Sequence, residues 1–160
     1  MEKLPIRKTI RLRNYDYRSK GVYHVTICTR DRRHCFGIVL QGKMILNKLG
    51  VLADENVRLI SQLYPEADVI DFVVMPNHVH ILLGLGIGAD ANYGVPTVEH
   101  TLGQIIRAYK ASVTRTHGNS IWQPRFYEHI IRNDQDLAET IAYIRNNPAT
   151  WEKDDYFIPL

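Results

Sequence analysis

The sequence is poor in the features that mark disulfide-stabilised and membrane proteins. Only two of its 160 residues are cysteines, Cys28 and Cys35. They could form one disulfide or half of a metal site, but two reduced thiols without a chemical role are the simpler expectation. No stretch approaches the roughly 20 apolar residues of a membrane helix, and the start, Met1-Glu2-Lys3-Leu4-Pro5, lacks the apolar run of a signal peptide. These absences predict a cytoplasmic protein that binds no membrane.

The overall charge is also small, but it is unevenly distributed along the chain. Residues 1–33 contain ten Lys and Arg against three acidic residues, a net charge of +7, which leaves −4 for the rest of a chain whose total is +3. Such asymmetry favours a basic arm that binds a polyanion; the alternative is a solvated terminus without a ligand. Because 45% hydrophobic residues suffice for one core, we predict a single domain over residues 1–160, with residues 1–20 as the basic arm.

Hydrophobic periodicity predicts strands and helices in the order β, α, β, β, α, β, α. Runs rich in β-branched and aromatic residues indicate strands at 21–29, 69–75, 78–83 and 121–132, with an additional hairpin at 36–46. Helices are expected after the cap residues Asn47, Thr97 and either Asn133 or Asp134, and segment 84–96 has loop composition. The order contains the βαββαβ arrangement of a ferredoxin-like α+β domain, in which helices cover one face of an antiparallel sheet and the other face is open for a ligand.

Two histidines occupy alternate positions in the predicted strand at 78–83. Because side chains alternate between the faces of a sheet, His78 and His80 project together while Val79 and Ile81 face the core. A single histidine in a strand is usually a polar residue with a structural partner. Two imidazoles aimed at one point are better suited to binding a metal ion.

The last predicted helix carries a tyrosine and an asparagine four residues apart. Tyr143 and Asn147 would be neighbours on one helical face. Pro148 favours a helix end at Asn147, where the amide oxygen could turn toward a metal. The simpler interpretations are that Tyr143 packs at the border of the core and that Asn147 merely ends the helix.

Three sequence segments stand out together: 75–83 (MPNHVHILL), 122–132 (WQPRFYEHIIR) and 143–148 (YIRNNP). They resemble the single-tyrosine HUH transposases, the family that includes the smallest bacterial insertion-sequence transposases and their REP-associated relatives. With segment 22–26 and Phe36-Gly37, the resemblance runs in the expected order over nearly the whole chain.

The resemblance implies a ferredoxin-like domain, usually dimeric, in which His78 and His80 hold a divalent ion, Tyr143 is the nucleophile and Asn147 takes the third ligand position. Many members carry glutamine there, so His129 or Glu128 could substitute for the shorter Asn147. Oxygen-rich octahedral coordination suits Mg²⁺ or Mn²⁺, imidazole ligands favour Mn²⁺, and zinc could also bind. The implied substrate is single-stranded or hairpin DNA, cut and rejoined through a bond between the tyrosine and a 5′ phosphate.

Basic side chains in several parts of the chain are candidates for contacts with this DNA, because single strands are held by cationic grooves with aromatic neighbours. The candidates are Arg11, Arg13, Arg18, Lys20, Arg107, Lys110 and Arg125.

Two other functions are compatible with the same residues. A noncatalytic ferredoxin-like regulator would bind a nucleic-acid hairpin and would keep its function after Tyr143→Phe. A metal-dependent hydrolase would use the histidine pair to activate water and would cut DNA without a covalent protein intermediate.

Overall fold

The computed structural model describes residues 20–87 and 98–160 of the chain. The predicted DNA contacts Arg11, Arg13 and Arg18, with nearly all of the predicted basic arm, lie outside these ranges. Within them, no helix combines the length and the apolar character that crossing a membrane would require.

The described residues form six strands, three α-helices and two short 3₁₀ turns. The strands are β1 (Gly21–Cys28), β2 (Gly37–Leu40), β3 (Lys43–Leu46), β4 (Ala67–Val74), β5 (His78–Leu85) and β6 (Tyr127–Ile130). The helices are α1 (Lys48–Leu63), α2 (Leu102–His117) and α3 (Asp134–Asn146), and the 3₁₀ turns span Arg30–Arg32 and Trp151–Lys153.

Four strands form the main sheet in the order β4, β5, β1, β6, and every neighbouring pair is antiparallel. β2 and β3 form a separate hairpin. Its turn residues Gln41 and Gly42 both have positive φ, 50° and 72°, as a two-residue type I′ turn requires. Without the hairpin the elements run βαββαβ and are followed by α3, which confirms the predicted ferredoxin-like class.

Alternate residues of the two central strands build the core on one face of the sheet. Val25 of β1 and Val79 and Ile81 of β5 are completely buried in a cluster with α1 and α2. Burying each such side chain contributes roughly 1.5–3 kcal/mol. Tyr109 of α2 joins this core and donates a hydrogen bond to the carbonyl oxygen of Ala53 in α1 at 3.1 Å, so its hydroxyl is satisfied.

Helix α3 lies on the opposite face, which carries His78 and His80. Its Ile144 is completely buried, and Arg145 pairs with Asp71 of β4 at 2.9 Å. The prediction left this face open, whereas α3 and the segment after it cover part of it. The buried Ile144 side chain anchors the helix, and the ion pair, whose arginine is 71% exposed, adds little stability.

The predicted start of the second helix was wrong. α2 begins at Leu102, after Thr101, and not after Thr97, which lies outside the described residues. Thr101 Oγ1 accepts a hydrogen bond from the Gln104 amide at 3.1 Å, and Gln104 Oε1 accepts one from the Thr101 amide at 2.8 Å. This reciprocal capping box satisfies two amides at the helix start, so the helix begins at Leu102.

Two strand boundaries also differ from the predictions. β6 covers only Tyr127–Ile130 of the predicted 121–132, since Pro124 has no amide hydrogen for a ladder and Trp122 forms only an isolated bridge. β5 continues to Leu85, within the predicted loop, because Leu85 pairs with strands on both sides.

Candidate metal centre and nucleophile

The two histidines of β5 converge on one point of the polar face. His78 and His80 are buried, with exposures of 0% and 1%, and their Nε2 atoms are 3.1 Å apart. Two nitrogen atoms this close need a shared proton or a shared cation between them.

Hydrogen bonds on the far side of each ring hold the histidines in place. His78 Nδ1 lies 2.8 Å from Asn77 Oδ1, which can only accept, so Nδ1 carries the proton and Nε2 presents a lone pair to the centre. His80 Nδ1 lies 3.0 Å from both Thr26 Oγ1 and His24 Nε2. Burial, with smaller effects of His78 and His24, lowers the pKa of His80 well below its usual value, which favours the neutral form that binds metal.

Two further groups from the end of α3 and the segment after it complete the centre. Asn147 is 1% exposed, and its Oδ1 lies 3.3 Å from His78 Nε2. Its Nδ2 donates a hydrogen bond to Asp154 Oδ2 at 2.6 Å. His78, His80 and Asp154 offer ligand atoms that all lie within 4.8 Å of one another. Sequence reasoning missed Asp154.

The donor set fits a divalent cation. Adjacent ligands of an octahedral ion with bonds of about 2.1 Å are separated by roughly 3.0 Å, close to the 3.1 Å between the two Nε2 atoms. Two neutral imidazoles, an amide oxygen and a carboxylate would offset part of the charge and leave positions for water or a phosphate oxygen.

Tyr143 stands next to the same centre within one chain. Its ring lies 5.2 Å from the His80 ring and 6.0 Å from the His24 ring, edge-on to both. The residue is 42% exposed, so part of it is open to solvent beside the histidines. The hydroxyl donates a long hydrogen bond to Asp154 Oδ2 at 3.4 Å. Burial, and then the negative charge of Asp154, raises the pKa of Tyr143 above its usual value.

A second tyrosine borders the centre from the C-terminal segment. The Tyr156 ring is tilted by 34° over the His78 ring at 4.6 Å between centroids. Its backbone amide donates to Asp154 Oδ1 at 2.7 Å, which fixes the carboxylate. The Asp154-Asp155 pair was the available sequence signal for this part of the site, but it lies beyond the last predicted helix.

The two predicted substitutes for Asn147 point elsewhere. His129 Nε2 pairs with Asp136 at 2.9 Å. Glu128 faces Val25 in the β1–β6 ladder and therefore projects from the core face, away from the histidines. Asp154, by contrast, offers a ligand atom within 4.8 Å of ligand atoms of both His78 and His80.

The four predicted DNA contacts that lie within the described residues differ in their exposure. Lys20 and Arg125 are exposed, and Arg107 is exposed on α2, the helix that covers the core face. Lys110 is half-buried, and its Nζ donates a hydrogen bond to the Gln123 carbonyl oxygen at 2.7 Å. None of these four side chains contacts the histidine pair through a hydrogen bond recorded in the described residues.

Comparisons with known proteins agree with this geometry. The sequence profile described as IS200-like transposase matches residues 17–147. An uncharacterized protein of Haemophilus influenzae is 33% identical over 168 residues, covering 95% of this chain and 93% of its own. The REP-associated tyrosine transposase of Escherichia coli K12 is 36% identical over 79 residues, which are 49% of this chain and 42% of that protein. A solved REP-associated tyrosine transposase bound to a REP hairpin superposes with a TM-score of 0.63 at 26% identity, over 86% of this chain and 72% of that one.

Proposed function

Because this chain belongs to the family of IS200-like transposases, which are enzymes that act on DNA, we propose that it cleaves and rejoins single-stranded DNA through Tyr143. The similarity to REP-associated tyrosine transposases favours that branch of the family and a hairpin-flanked substrate. One observation carries the proposal: the exposed Tyr143 ring lies 5.2 Å from His80, whose Nε2 meets that of His78 at 3.1 Å.

His78 and His80 would hold a divalent cation, with Asn147 and Asp154 as oxygen donors. When bound, such an ion offsets the negative charge of the phosphodiester and lets an oxygen nucleophile approach. The carboxylate of Asp154 strengthens the preference for Mg²⁺ or Mn²⁺ over softer ions, and the two imidazoles favour Mn²⁺ of the pair.

Tyr143 Oη would form a bond to phosphorus while the bond from phosphorus to the 3′ oxygen breaks. The departing 3′ oxygen takes a proton and becomes a free hydroxyl, and the 5′ phosphate stays on the tyrosine. Attack by a second 3′ hydroxyl reverses the step and joins the strands, so no ATP is consumed.

Among the described residues, Asp154 accepts a hydrogen bond from the attacking phenol and can therefore take its proton. Its Oδ2 already receives the Tyr143 hydroxyl hydrogen bond at 3.4 Å. The raised pKa of Tyr143 disfavours a free phenolate in the resting protein, so proton removal must accompany attack. This restricts reactivity to complexes in which substrate and cation are present.

The tyrosine and the histidine pair adjoin in one chain, which supports cleavage by a single protomer. A homodimer, as the resemblance implies, would then serve to bring two strand ends together. Because the relatives act on bacterial DNA, we propose that the protein works in the cytoplasm, and that its N-terminal residues 1–20 form part of the DNA-binding surface of one domain.

The test is incubation with a labelled single-stranded hairpin from the flanks of the gene, with Mn²⁺ or Mg²⁺, followed by a denaturing gel. We expect a covalent protein–DNA band that disappears in Tyr143→Phe and His78→Ala, while Tyr64→Phe, a change distant from the centre, retains it. Cleavage without a band would favour the hydrolase, and binding without cleavage would favour the regulator.

A further inference from the structure

The turn after β1 concentrates positive charge beside the metal centre. Residues 30–33 contain three arginines and one aspartate, a net charge of +2. Arg30 and Arg33 are exposed. Arg33 pairs with Asp31 at a loose 3.8 Å, and the two side chains are 75% and 70% exposed. The solvent therefore screens the pair, and both exposed guanidinium groups can turn toward an anion.

The backbone of this turn is strained. Asp31 and Arg32 have φ values of 55° and 53°, a left-handed conformation that residues other than glycine adopt at a cost of about 1 kcal/mol or more each. Hydrogen bonds hold the conformation: Thr29 Oγ1 donates to the Arg33 carbonyl oxygen at 2.8 Å, and the Arg30 amide donates to the Ile121 carbonyl oxygen at 2.8 Å. Backbone strain that surrounding hydrogen bonds maintain in this way is common at functional sites.

One residue joins the turn to the metal centre. Asn77 Nδ2 donates hydrogen bonds to the carbonyl oxygens of Arg32 at 3.3 Å and Tyr156 at 2.8 Å. The Oδ1 of the same side chain accepts from His78 Nδ1 at 2.8 Å. The arginine turn and the first histidine are therefore fixed relative to each other through a single buried amide, 1% exposed.

A cavity of about 530 Å³ opens between this turn and the segment before β6, and its lining residues are Arg30, Asp31, Arg32, Gln123, Pro124 and Ile158. Its size is in the range that accommodates small ligands. The Arg32 guanidinium lies 5.9 Å from the centre of the Tyr156 ring, and that ring covers His78. A path of cationic and aromatic groups thus leads from the cavity to the histidines.

We infer that the turn at residues 30–33 is a backbone-binding subsite for the single strand that adjoins the scissile phosphate, with Arg30 and Arg33 contacting phosphates. The inference rests on the proposed function for the identity of the ligand. Arginine suits the role because its fork matches phosphate geometry, and alternating guanidinium and aromatic groups are typical of single-strand grooves.

The test measures binding apart from cleavage. A fluorescein-labelled oligothymidylate of about 16 nucleotides is titrated with protein in EDTA at several salt concentrations, and fluorescence anisotropy is followed. The variant Arg30→Ala/Arg33→Ala should bind about tenfold more weakly at low salt, and its log–log salt slope should be smaller by about 1.4, because each lost phosphate contact removes about 0.7 on single strands. Arg30→Lys/Arg33→Lys should recover most of the slope, since it keeps both charges.

Arg115→Ala is the matched control, because this arginine is exposed on α2, which packs on the other face of the sheet. It should bind within about twofold of the unaltered chain. Equal binding and equal slopes for the control and the Arg30/Arg33 variant would overturn the inference, even if the covalent band still forms. Loss of the band in the unaltered chain, with binding still dependent on the turn, would overturn the proposed chemistry and leave the subsite standing.

Discussion

The two faces of strand β5 bury side chains of different chemistry. On one face Val79 and Ile81 are completely buried among the side chains of α1 and α2. On the other face His78 and His80 are equally buried, but their partners are Asn77 and Thr26 and one another. Burial therefore has a different effect on each side: apolar burial stabilises the fold, whereas burial of an imidazole costs hydration and lowers the pKa of His80, which favours its neutral form.

This contrast implies that substitutions at neighbouring residues of one strand should have different effects, some mainly on cleavage and others mainly on the free energy of unfolding. The largest effect should come from the polar face. His80→Ala should reduce cleavage by about 10³-fold while lowering the free energy of unfolding by only about 1–3 kcal/mol, because the ring loses its buried hydrogen bonds to Thr26 and His24. Single-turnover cleavage and urea denaturation measure the two quantities. A loss of stability that matched the loss of activity would break the distinction.

The neighbouring residue should behave in the opposite way. Ile81→Ala removes a completely buried side chain and should lower the free energy of unfolding by about 2–5 kcal/mol. The fraction that remains folded should still cleave at nearly the normal rate. Ile81→Val, which removes one methylene, should cost only about 1 kcal/mol, and an equal cost for both variants would contradict close packing at this position.

The polar face should also make stability depend on pH. Burial, and then the charge of His129, lowers the pKa of His24 to about 4, although Asp136 acts in the opposite direction. Between pH 6.5 and about 4 the unfolded chain binds a proton at His24 that the folded chain does not. The contribution of His24 to the free energy of unfolding is therefore fully present above pH 6.5 and is lost as the pH falls through this window. We expect a loss of about 3 kcal/mol by pH 4, since one pKa unit corresponds to about 1.4 kcal/mol.

His24→Gln is the matched variant for this pH dependence, because glutamine can bond to His80 but does not titrate. Urea denaturation of the metal-free protein at several pH values should give a flatter profile for the variant. The same slope in both proteins would show that other groups cause the dependence.

The smallest change in stability is expected from the N-cap of α2, the helix that packs on the core face of the sheet. Thr101→Ala removes the side-chain acceptor of the Gln104 amide and should cost about 1 kcal/mol without changing cleavage of the folded protein. Thr101→Ser keeps the acceptor and should cost less. Thermal unfolding distinguishes them, and equal melting temperatures for all three proteins would argue against the cap.

The sequence was most informative where a residue's role follows from regular geometry. Alternation in β5 predicted that His78 and His80 share a face, and helical spacing predicted that Tyr143 and Asn147 lie together. Both relations depend only on the repeat of one element, and the structure brings all four residues to one centre.

The parts of the site that escaped prediction depend on packing between elements. Asp154 follows Asn147 by seven residues, but an irregular segment with the 3₁₀ turn Trp151–Lys153 intervenes, and no periodicity specifies where that segment folds back. The side chosen by α3 was equally unpredictable, because it is decided by contacts such as Ile144 in the interior and Arg145 with Asp71. The Thr101 cap was missed because Thr97, four residues earlier, also fits the cap pattern.

The central claim is that Tyr143, and no other residue beside the histidine pair, becomes joined to DNA. The covalent complex can be trimmed with nuclease, digested with trypsin and analysed by mass spectrometry. Cleavage after Arg132, Arg145 and Lys153 separates Tyr143, in peptide 133–145, from Tyr156, in peptide 154–160. We predict a nucleotide on Tyr143 within peptide 133–145. A nucleotide on Tyr156, or cleaved DNA with no modified peptide, would contradict the account.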